Sequence, residues 1–95
     1  MLNFVFSNIK FSRSKTEVAL RITGEVRNCM NKNFSSVVFR ITVFLKDLPV
    51  ANTTLVINGF GSQQPRIFDK DIEGFNYVEG IEKAVRCDIY PESVY

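Results

Sequence analysis

The chain predicts an all-β fold, an antiparallel sandwich of six to seven strands, with a small closed barrel as the structural alternative. Three observations carry this reading. Apolar and polar residues alternate over the runs 16–28, 35–46 and 81–90. Turn-forming residues separate such runs at near-regular spacing, and no stretch carries a convincing helical period. The 95 residues make one domain spanning 1–95, long enough to hold a core without metals or disulfides.

The run from Ser35 to Asp47 is the centre of the prediction. Val37, Phe39, Ile41, Val43 and Leu45 share one parity, and Arg40, Thr42 and Lys46 the other. Successive side chains of a strand point to opposite faces, so the run has one apolar and one mixed face. Its β-branched and aromatic residues suit a strand, and a helix would scatter them around its circumference. The remaining elements supply its neighbours.

Leu2 to Phe11 reads as the first strand. Leu2, Phe4 and Phe6 share one parity, and Val5, Ile9 and Phe11 the other. A bulge near Ser7-Asn8 reconciles the halves, because one extra residue exchanges the faces. After a polar turn, Thr16 to Asn28 alternates, with Val18, Leu20, Ile22 and Val26 inward and Arg21, Thr23, Glu25 and Arg27 outward. Gly24 falls in the inward row, which points to a bulge or a close approach. Residues 29–34 form a polar loop before the central strand. Asp47-Leu48-Pro49 is read as a turn, Val50 to Asn58 as a strand, Gly59 to Pro65 as a second turn, and Arg66 to Ile72 as a short strand. Residues 74–80 are irregular. Ile81 to Tyr90 forms the last strand, with Ile81, Val85, Cys87 and Ile89 inward, Lys83 interrupting the row and Pro91 ending it. Val18, Leu20, Ile22, Phe39, Ile41, Val43, Val85 and Ile89 are the expected core.

Composition excludes several classes. With 45% hydrophobic and 23% charged residues, the chain is not of disordered type. A net charge of +2 does not by itself call for a nucleic acid or a membrane. No apolar run approaches the ~20 residues that span a bilayer, so no direct membrane insertion is expected. The first residues, Met1 to Asn8, lack the charged and apolar regions of a signal peptide. Histidine is absent, which removes the commonest general base, metal ligand and pH switch.

The succession Gly24-Glu25-Val26-Arg27-Asn28, the alternating Val38-Phe39-Arg40-Ile41-Thr42-Val43-Phe44, and a Thr-rich strand and polar turn before Phe68 resemble the FxLYD domain family. These are small immunoglobulin-like sandwiches of bacterial and archaeal proteins, often extracytoplasmic. The naming motif falls on Ile41-Thr42-Val43-Phe44-Leu45. Ile41 stands for the Phe, Val43 for the Leu and Leu45 for the Asp, with Asp47 just beyond. The similarity spans roughly residues 18–72 and implies an immunoglobulin-like sandwich without catalytic residues.

Four candidate sites follow from the residues themselves. Asp69, Asp71 and Glu73 before Gly74 are the weak metal candidates, since alternating acids and a Gly open calcium loops. The closing Glu would stand at position 80, which is Gly80, so a solvated strand face and no metal are expected. Cys29 and Cys87 could link the second strand to the last, but no Trp exists to pack on such a bond and Val85 occupies the place of the corner Tyr. Two unlinked thiols are expected, and without His neither is a catalytic nucleophile. Asn33-Phe34-Ser35 and Asn52-Thr53-Thr54 match the glycosylation sequon, with no consequence expected in a prokaryotic protein. Arg21, Arg27, Arg40 and Lys46 lie on outward parity with Val38 and Phe44. If their strands pair, they form a basic face with an exposed aromatic, the ingredients of a single-strand nucleic-acid platform.

The first strand is a fifth candidate. Phe4, Val5 and Phe6 lie in a run with no charge, Pro or Gly, and an unguarded sheet edge recruits strands from partners. The combined expectation is a non-catalytic interaction or structural module of a prokaryotic, envelope-associated or exported protein, with a cytoplasmic location as the alternative. It would bind protein or self-associate through a sheet face or edge, with no cofactor. The second expectation is a small nucleic-acid or polyanion binder using the Arg-bearing face.

Overall fold

An apolar row along one side of a strand stays dry only when a second layer covers it, and this chain builds both layers. The computed structural model describes residues 2–15 and 18–95. Its six strands are β1 (Phe4–Arg13), β2 (Ala19–Asn28), β3 (Phe34–Leu45), β4 (Leu48–Phe60), β5 (Pro65–Asn76) and β6 (Val85–Val94). They form two antiparallel three-stranded sheets, ordered β1-β2-β5 and β4-β3-β6. The fold is thus a small β-sandwich, and no closed barrel forms among the described residues.

β2 and β3 are the two sheet centres, and their inward rows face each other across the sandwich. Leu20, Ile22 and Val26 of β2 and Val37, Phe39, Ile41 and Val43 of β3 are fully buried. Burial of each such side chain is worth ~1.5–3 kcal/mol, which makes the alternation itself the main fold-determining signal. The expected bulge in β1 is present. Register passes from Ser7↔Glu25 to Lys10↔Thr23, and Asn8 has φ 55°. Phe4 and Phe6 before it, and Ile9 and Phe11 after it, all pack on the core. The missing side chain of Gly24 leaves room for this change of face. A Cβ there would lie 2.6 Å from Ile9 Cδ1 and 3.0 Å from Phe68 Cζ.

Several boundaries differ from expectation. Val18 is 57% exposed and precedes β2, which begins at Ala19 beside a shift of the β2–β5 register, so the core row starts at Leu20. Thr16, the expected start of that strand, lies outside the described residues. The β3–β4 turn is Lys46-Asp47, with φ 50° and 68°, and not Asp47-Leu48-Pro49. Two positive φ angles match the backbone twist of a tight hairpin. Pro49 sits inside β4 and Pro91 inside β6. Both are edge strands, where a proline can lack its N–H without losing a ladder bond. Residues 81–83 form a short 3₁₀ helix, η1 (Ile81–Lys83), after Gly80 reverses the chain at φ 84°. β6 therefore starts at Val85. Val85 and Ile89 pack on the core but are only half-buried.

Candidate functional site: an open side of the sandwich

Each sheet has two edges, so a six-stranded sandwich has two long sides. The side formed by β4 and β5 is closed. The two strands approach each other, and their inward side chains Leu55, Ile57, Phe68 and Ile72 are at most 6% exposed. The side formed by β1 and β6 is different. Among the described residues these strands make no comparable approach. Their inward side chains Phe6, Ile9 and Phe11, and Val85, Cys87 and Ile89, pack on the core yet remain half-buried. An apolar seam runs between the two edge strands.

One end of the seam is held by aromatics. Phe4 lies 5.2 Å edge-on to Phe39, 5.8 Å from Phe34 and 5.8 Å stacked over Phe60. Phe6 meets Phe39 at 5.1 Å and Phe68 at 6.0 Å. The ring contacts tie β1 down through its inward row, while Val5 on the outward row is 50% exposed. Of the first-strand candidates, Val5 alone presents its side chain outward. η1 packs against β1 at another point. It is anchored by Tyr77, whose hydroxyl donates to Glu82 Oε2 at 2.6 Å. That bond raises the Tyr77 pKa above its ordinary value, with loss of hydration adding to it. The same bond lowers Glu82.

The basic candidates do not assemble. Their strands β2 and β3 belong to different sheets, so Arg21 and Arg27 lie on one outer surface and Arg40 and Phe44 on the opposite one. Arg21 is paired with Asp69 at 2.6 Å, and Arg40 bonds Asn52 at 2.9 Å and Glu92 at 3.0 Å. The bond to Glu92 holds the Arg40 guanidinium more firmly in its charged form. Phe44 is covered by Arg86, whose guanidinium carbon stands 4.4 Å from the ring centroid. The platform anticipated from parity is split in two and largely neutralised.

The acidic candidates lie along β5. Asp69 accepts from Arg21, and Asp71 accepts from Ser14 Oγ at 2.9 Å, while Glu73 is exposed. Among the described residues no group of three or more His, Cys, Asp or Glu side chains is placed to hold a metal ion. Cys29 and Cys87 are both free thiols. Burial pushes the Cys87 thiol up, with the Asp88 charge adding to it. The depressions around Lys10 and Ile67, and around Lys15 and Lys70, are shallow and open. Among the described residues no helix is long and apolar enough to cross a membrane.

Parity reasoning missed Asn28. It is fully buried, and its amide nitrogen donates to the carbonyls of Lys32 at 2.9 Å and Gly61 at 3.0 Å, with Phe60 at 3.4 Å. Its side-chain oxygen accepts from Met30 N at 3.0 Å. The only sequence signal was an Asn where the inward row of β2 calls for an apolar residue.

No family model, no curated protein and no solved structure matches this chain.

Proposed function

We propose that this chain is a non-catalytic interaction module that binds protein, or a second copy of itself, through a sheet edge. The observation that carries the reading is the half-buried apolar row between β1 and β6, set beside the fully closed side at β4 and β5. Edge strands offer backbone N–H and C=O groups to a further strand, and an adjoining apolar row adds a hydrophobic reward for pairing. Resemblance to FxLYD domains supports the same reading, and with it a prokaryotic, envelope-associated or exported setting. The alternative, polyanion binding, is weakened because Arg21 and Arg40 occupy opposite surfaces and each already has an acidic partner.

Sedimentation velocity over a wide concentration range, at low and high salt, tests the proposal. Association that persists at high salt supports edge pairing through backbone and apolar contacts. Binding to heparin or single-stranded DNA that collapses with added salt supports the polyanion reading instead, because phosphate contacts release counterions.

A further inference from the structure

The interaction reading leaves open which edge is used and what occupies it; resting on that reading, we infer that β6 pairs antiparallel with β6 of a second copy, about a two-fold axis at Cys87. Several observations converge on this arrangement. β6 has β3 on one side and, among the described residues, no strand on the other. Its register against β3 is regular from Val85 to Pro91, whereas β1 is broken in the middle by its bulge. Beside it lies the only long side of the sandwich whose described inward side chains are left half-buried, so an added strand with an apolar inward row would cover Ile9 and Phe11 as well as Cys87 and Ile89. The inward row of a second β6 has that chemistry.

Charge selects the partner and the register. The outward row of β6 reads Arg86, Asp88, Tyr90 and Glu92. Residues paired across antiparallel strands share a face, so a two-fold axis normal to the sheet passes through a residue position. An axis at Cys87 places Arg86 of each copy opposite Asp88 of the other, and Val85 opposite Ile89. An axis at Arg86 opposes two arginines, one at Asp88 opposes two aspartates, and one at Tyr90 opposes Asp88 to Glu92. An axis at Ile89 opposes Arg86 to Glu92, but Glu92 is taken by Arg40 and sits where the β3 register slips. Arg86 and Asp88 have side chains 55% and 64% exposed and meet at 3.6 Å within one copy, while Arg86 also reaches Asp47 at 3.5 Å and lies over Phe44, which leaves part of its five-donor guanidinium open. Both have bonding capacity left for a partner. The result is a continuous sheet of twice three strands, with the two half-open seams closing on each other.

Two like-charge pairs facing across this junction would weaken association by roughly tenfold. The test is sedimentation equilibrium of Arg86→Glu and Asp88→Arg, alone and mixed, with folding of each variant checked by far-ultraviolet circular dichroism. Each variant alone should be weakened, since one opposes Glu to Asp and the other Arg to Arg. Their equimolar mixture should recover the wild-type affinity, because both cross-strand pairs are then opposite in charge. In Cys29→Ser protein, two copper(II)–phenanthroline complexes should each accept one electron from facing Cys87 thiols, whose two protons pass to the buffer, and yield a disulfide-linked dimer. A wild-type chain that stays monomeric at every concentration overturns the inference, as does a mixture no tighter than its components. Wild-type association abolished by Val5→Lys but untouched by both charge variants would move the contact to β1, leaving the interaction reading intact and this inference refuted.

Discussion

Asn28 shows how one buried amide can hold two loops. Its side chain bonds the backbone of residues 30 and 32 on one side and 60 and 61 on the other, and its own N–H reaches Gln64 O at 3.1 Å. Removing the amide takes the donor from several part-buried carbonyls and the acceptor from Met30 N–H. Asn28→Ala should therefore cost about 2–3 kcal/mol, read as a lower urea midpoint at unchanged slope. A loss within ~0.5 kcal/mol would mean that water replaces the amide. Gly24→Ala tests the close approach in the same core. Overpacking against Ile9 and Phe68 should cost ~1–3 kcal/mol, softened to the extent that the Ile9 side chain can turn aside. Tyr77 offers a test by pH. Its hydrogen bond to Glu82 opposes ionisation, so its phenolate absorbance, isolated as wild type minus Tyr77→Phe, should rise above the ordinary midpoint of 10.0. Glu82→Gln should bring that midpoint down. A wild-type midpoint at or below the ordinary value would contradict the bond.

At the scale of elements, the β3–β4 hairpin carries a measurable strain. Lys46 and Asp47 both adopt the left-handed conformation, which costs a side-chain-bearing residue ~1–2 kcal/mol. Replacing them by Asn-Gly, the pair favoured in this turn, should raise stability by about 1 kcal/mol. No gain in melting temperature would contradict the turn assignment. The same elements show what was legible beforehand. Parity located β2 and β3 because a central strand is flanked on both sides and covered on one face, so each inward position is apolar or Gly until Asn28. Parity also found the β1 bulge, since Phe6 and Ile9 cannot both face inward without an extra residue. It failed at the edges. Pro91 reads as a stop only if its strand is assumed to need every N–H, and among the described residues β6 has a neighbouring strand on one side alone. Val18 continues the alternation in the sequence, but β2 begins only at Ala19 and Val18 stands outside the core. The Arg21 and Arg40 surface failed for a third reason. Parity says which face of its own sheet a residue occupies, but not which sheet a strand joins.

For the whole molecule, the asymmetry between the two long sides governs what the chain can do. One side is sealed by its own strands, and on the other, among the described residues, no strand pairs with the outer edge of β6. Both thiols should titrate as free groups in unfolded, unreduced protein, two per chain. Finding none in a monomer would contradict the fold at Cys29 and Cys87, and would point to an oxidising compartment. Hydrogen–deuterium exchange measured at low and high protein concentration reports most directly on the central claim. Amides of the β6 segment 85–89 should become protected as concentration rises, while those of β4, on the closed side, should not change. Equal protection of β4 and β6, or no change along β6, would contradict an account in which the open side is the working surface.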